Sequence, residues 1–144
     1  MTGTPSREWG SLRDDLEVDV RRVTDRLRNL SAARLAAAPA PPDGSRPLYV
    51  TCAQAGRAAA GELAAAALAL EAAADGVAYV GRDLPELNDF AVADQVAVTG
   101  HDLLAALDRV PPGAPVWTSS YVKTTAAEAV AFAAQVLADV RRRI

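Results

Sequence analysis

The stretch from Ala53 to Ala74 constrains this chain most, because thirteen of its twenty-two residues are alanine. Alanine has the highest helix propensity, so the segment is helical for local reasons. Yet only Leu63, Leu68 and Leu70 in it can fill space in a core. Thirty-three of the 144 residues are alanine, and aromatics make up only 5%. Such a chain favours helices that approach closely through small side chains. Thr51 followed by Gln54 makes a capping-box start and Gly76 a stop, which predicts a helix over 52–74. Gly56, Ala60 and Ala64, spaced by four, form a smooth strip that another helix could approach closely, and the alanine-rich face of this helix is the expected surface for self-association.

Three further helices follow from periodicity. Trp9, Leu12, Leu16, Val20, Val23, Leu27 and Leu30 recur at steps of three and four, which predicts a first helix lasting to about Leu35. Its opposite face is acidic early and basic late, from Asp14 to Arg28, as the helix dipole prefers, and reads as solvated. Pro39, Pro41, Pro42, Asp43 and Gly44 then read as a linker. A third helix is expected from about Leu87 to Arg109, with Gly100 inside it marking a kink or a close contact. The fourth starts at Thr125 with Glu128 as a second capping box and buries Val130, Ala133, Leu137, Val140 and Ile144. Between Gly76 and Glu86, Val77, Tyr79 and Val80 are expected to cover the core. The competing arrangement makes strands of Leu48–Thr51 and Val77–Val80 in a βαβ unit. The segment Val116 to Val122 is either a short hairpin or an ordered loop at one end of the bundle. The expected fold is all-α: an antiparallel four-helix bundle with an aromatic loop before the last helix, residues 1–144 forming a single domain.

Composition excludes more chemistry than it supports. His101 is the only histidine and Cys52 the only cysteine, so side chains for a metal site or a nucleophilic triad are scarce. No catalytic, cofactor-binding or metal-ligating residue is assigned. His101 carries the only side chain whose ordinary pKa lies near neutrality, and it reads as a surface group among Asp94, Asp102 and Asp108, with proton transfer as the sharper alternative. Cys52, beside a helix N-terminus, is either a dipole-activated thiol or a small buried apolar residue. Trp117 and Tyr121 either plug the bundle or anchor a partner. These two and His101 are the candidate contacts for a partner or ligand.

The net charge of −3, with both signs interleaved, argues against nucleic acid. Arg141, Arg142 and Arg143 complement the end of a helix dipole before they suggest a phosphate patch. No phosphate loop or serine-hydrolase motif is present in the sequence. The most apolar window, Ala58 to Ala74, is interrupted by Glu62 and Glu71 and falls short of a membrane span. A single cysteine and the lack of a recognisable leader pattern suggest a cytoplasmic protein. Fourteen arginines to one lysine, Lys123, suggest a GC-rich bacterial genome.

Two stretches resemble the DinB and mycothiol-dependent maleylpyruvate isomerase-like four-helix proteins. One is Leu30-Ser31-Ala32-Ala33-Arg34-Leu35 with Ala36 to Pro39, which is similar to the end of their first helix. The other is Leu103-Leu104-Ala105-Ala106-Leu107, followed by Pro112 to Thr118 and then Thr125-Ala126. The resemblance implies a bundle fold and a divalent metal held by histidines of the second and last helices. Here the second helix has no histidine, and Gln135 and Val140 stand near where the last-helix ligands would be, so no ligand carries over. The resemblance therefore implies the scaffold without the metal site, turned to binding. The function expected is a non-enzymatic one: association with a protein partner or with itself, without cofactor, nucleic acid or membrane. The alternative is a DinB-like enzyme or small-molecule binder acting on a thiol conjugate or similar ligand.

Overall fold

A computed structural model describes residues 8–39, 49–118 and 121–144. Among the described residues the protein is mostly helical, 67%, with five α-helices and one small two-stranded sheet. In chain order these are α1 (Ser11–Arg28), α2 (Ala32–Leu35), α3 (Cys52–Asp75), a 3-10 turn (Asp89–Ala91), α4 (Val92–Leu107), β1 (Pro115–Trp117), β2 (Lys123–Thr125) and α5 (Ala126–Arg143). The long helices α1, α3, α4 and α5 share one hydrophobic core. Both α1 and α3 pack along α4 and α5, and they touch each other little.

The caps explain where most helices start and stop. Thr51 Oγ1 accepts from the Gln54 amide at 3.1 Å, and Gln54 Oε1 accepts from the Val50 amide at 3.1 Å, so the box closes one residue early. Gly76 ends α3 in the left-handed conformation, φ 67°. Thr125 Oγ1 caps α5 by accepting from the Glu128 amide at 3.2 Å. Two boundaries differ from expectation. The first helix ends at Arg28, and Ser31, whose hydroxyl accepts from the Arg34 amide, starts the separate turn α2. A serine oxygen that satisfies an orphan N–H competes with continued helix, which the apolar spacing alone does not reveal. The third helix begins later than Leu87 because Asn88 caps the 3-10 turn, its side chain accepting from the Ala91 amide.

Small residues set the helix spacing, but inside the chain. A Cβ on Gly56 would lie 2.5 Å from Val92 Cγ1 and 3.0 Å from Leu27 Cδ1, so α1, α3 and α4 meet at this glycine. A Cβ on Gly100 would lie 2.5 Å from Val20 Cγ1, which makes the close contact there one between α4 and α1. Gly56 and Ala60 are buried, so the close approach of another helix expected along this strip is made within the chain.

The segment after α3 forms no strand: Val77 and Val80 are 61% and 70% exposed, and of the three residues expected to cover the core only Tyr79 packs against it. The βαβ arrangement is thereby overturned at Val77–Val80, while Tyr49 and Val50 form a bend and Leu48 lies outside the described residues. The proline linker falls on residues 40–48, also outside the described residues except for Pro39. Of the two forms open to the segment Val116 to Val122, the hairpin is the one that β1 and β2 make, pairing antiparallel with Val116 opposite Thr124 and Trp117 opposite Lys123. The hairpin tip includes residues 119 and 120, outside the described residues. Val116 is buried against the core and anchors the hairpin on α3, and the Ala126 amide donates to the Ala114 carbonyl at 2.8 Å, which ties the start of α5 to the residue before β1.

Candidate functional site

The three residues singled out from the sequence do not come together. His101 is exposed on α4 and lines a shallow groove against α1 with Glu17, Arg21 and Asp25. The acids two turns away are engaged by α1: Asp94 with Arg28 at 2.9 Å and Asp108 with Arg13 at 3.2 Å. Trp117 is 52% exposed, and its place opposite Lys123 puts it on the outer face of the hairpin, since side chains alternate along a strand and Val116 points in. Tyr121 is 79% exposed and lies on the inner side, lining a broad recess with Tyr79 and Glu62. Neither aromatic plugs the core, which corrects that half of the expectation.

The inner side of the hairpin closes a cleft that the sequence did not reveal. Its floor is α3, through Glu62, Ala65 and Ala69; its walls are Val122 of the hairpin tip and Phe132 of α5, 56% exposed. The volume of this half-open cleft is about 320 Å³. Glu62 and Ala65 also line the neighbouring recess of about 880 Å³ under residues 79–86, so the two spaces meet over one turn of α3. That recess is held in shape from α3 and α4. Arg57 donates to the Leu87 carbonyl at 2.7 Å and to Asp89 at 2.8 Å, and Gln95 donates to the Pro85 carbonyl at 2.8 Å.

Electrostatics single out Glu62. It is half-buried, and burial raises its carboxyl above the usual range. It has neither a hydrogen bond nor an ion pair among the described residues. The other carboxylate of the cleft, Glu128, accepts from the Thr124 hydroxyl. Tyr79 is also pushed up, chiefly by burial and further by Tyr121 and Glu62. One signal in the sequence could have found Glu62. The positions one turn away on either side, Ala58, Ala59, Ala65 and Ala66, offer no cation to pair with a carboxylate set in an otherwise apolar helix.

The remaining candidates are structural. Cys52 is fully buried, and desolvation raises its thiol although Arg34 and Arg26 pull it partly back, so the dipole-activated form is not what the fold builds. The C-terminal arginines are each paired: Arg141 with Asp19 at 2.8 Å, and Arg142 and Arg143 with Asp139 at 3.1 and 2.8 Å. Among the described residues no three His, Cys, Asp or Glu side chains gather as a metal-binding group, and no helix is long and apolar enough to cross a membrane. Compared with family models, curated proteins and solved structures, the chain matches none.

Proposed function

We propose that this chain is a non-enzymatic binding protein, an antiparallel four-helix bundle of α1, α3, α4 and α5 that holds an apolar ligand in the cleft beneath its hairpin. The observation that carries the proposal is the cleft of about 320 Å³, walled by Val122, Phe132 and the alanines of α3. Its volume lies within the range of small-molecule sites, which are mostly apolar with a few placed polar groups. Alanine on the floor has a purpose here: a larger side chain at Ala65 or Ala69 would occupy the space a ligand needs. The resemblance to DinB-type proteins fits as a shared scaffold turned to binding, in a bacterial cytoplasm.

The test uses Nile red, a neutral dye whose emission rises and shifts to the blue in apolar surroundings. Saturable one-to-one enhancement that Ala65→Leu removes supports the proposal. No saturable signal, or one that Ala65→Leu leaves intact, rejects it.

A second reading, association with a protein or with a second copy, draws on Trp117, which stands half-exposed beside Lys123 on the outer face of the hairpin. Sedimentation equilibrium decides the self-association form of it. A mass that rises with concentration and falls back in Trp117→Ser supports it, and a single-chain mass at every concentration removes it.

A further inference from the structure

We propose that the ligand of the hairpin cleft is a primary alkylammonium, its charged head held by Glu62 and its chain lying between Val122 and Phe132. This rests on the binding reading above and names the chemistry of that same site. Charge complementarity points to this ligand. The charged groups lining the cleft are both carboxylates, Glu62 and Glu128, while the rest of the lining is alanine, threonine, Val122 and Phe132. Of the nearby cations, Arg57 is committed to Asp89 and the Leu87 carbonyl and Arg143 to Asp139, while Arg82 lines the neighbouring recess without an ion pair to Glu62. Of the two carboxylates Glu128 already accepts from Thr124, and Glu62 is the one without a partner among the described residues.

A carboxylate half withdrawn from water and unpaired is an expense to the fold that an arriving cation removes. Burial holds the Glu62 carboxyl above its usual range, and an ammonium beside it favours the ionised form again. An ammonium presents three donors, enough for a carboxylate oxygen of Glu62 and the threonine hydroxyls of the wall. The aromatic rings at the edge, Phe132 on one side and Tyr121 and Tyr79 on the other, add the negative faces that attract a cation. An anion would meet two carboxylates and gain none of these contacts.

Three probes of equal chain length separate the possibilities on the intact protein: hexylammonium, 1-hexanol and hexanoate, titrated calorimetrically at low ionic strength. Hexylammonium is expected to bind about tenfold more tightly than hexanol, the scale of a charge-assisted hydrogen bond at a partly exposed site, and hexanoate more weakly than either. Glu62→Gln should bring hexylammonium and hexanol to the same affinity. Added salt should weaken hexylammonium and leave hexanol unchanged, a readout that needs no variant. Equal affinities for hexylammonium and hexanol in the native protein, or a preference that survives Glu62→Gln, overturn the assignment while leaving an apolar cleft in place. Tightest binding of hexanoate overturns it by the sign of the charge. Failure of all three together with a silent Nile red titration removes the cleft as a site altogether.

Discussion

Two small residues on α3, Gly56 and Ala65, show how differently one helix is used along its length. At Gly56 the neighbouring helices close in until a single added carbon would overlap Val92 and press on Leu27. At Ala65, between two and three turns further on, the neighbours stay apart and leave the cleft. The charges follow the same division. On the α1 side Asp19, Arg28 and Arg13 reach across to Arg141, Asp94 and Asp108, whereas Glu62 on the cleft side has no such partner among the described residues. Small side chains therefore mean tight packing in one place and reserved space in the other. What tells them apart is whether a neighbouring helix or a hairpin lies opposite.

The sharpest way to break the contrast is Gly56→Leu, which should destabilise the fold by about 3 kcal/mol or prevent folding, since an overpacked seam has nowhere to yield. Chemical denaturation measures it, and an unchanged midpoint would mean that the seam is loose. Glu62→Gln acts in the opposite sense and should raise the melting temperature at neutral pH. A carboxyl raised by burial is protonated more readily folded than unfolded, so native stability declines as pH rises through the raised value. The gain from Glu62→Gln should thus be largest at neutral pH and vanish below the ordinary carboxylate range, and a gain independent of pH would contradict a buried charge as its origin. A double-mutant cycle on Asp19 and Arg141 should give a coupling of about 0.2–1 kcal/mol, the ordinary value for a partly exposed pair. Ala65→Leu is expected to shift stability by no more than about 0.5 kcal/mol while abolishing Nile red binding, because it fills space without displacing a neighbour. Ala65→Leu as damaging as Gly56→Leu would show that the cleft closes in solution.

The helix starts at Thr51 and Thr125 and the stop at Gly76 were legible because each depends on residues within one turn. The break at Ser31 was hidden by an apolar spacing that continues through Leu30 into Leu35, and the late start of α4 by the capping role of Asn88. The cleft was least legible. Its floor, with Ala65, lies some sixty residues in sequence from its hairpin and helical walls, Val122 and Phe132, and an alanine in a helix looks the same facing a core or a cavity. His101, Trp117 and Tyr121 drew attention by their chemistry, yet only Tyr121 lies beside the cleft, and it takes a left-handed backbone, φ 58°, that a tyrosine seldom adopts.

The position of α1 against α4 and α5 bears on how the protein is made. Apart from Leu27, which meets α3 at Gly56, its apolar stripe of Leu16, Val20 and Val23 is covered mainly by helices more than sixty residues downstream. At ordinary elongation rates the delay from the end of α1 to the end of α5 is on the order of ten seconds. During that time α3 and α4, adjacent in the chain and closely packed in the finished protein, can pair without α1. Helix α1, made before the helices that cover it, is then among the last to dock, and the nascent chain carries an uncovered greasy ridge while they are synthesised.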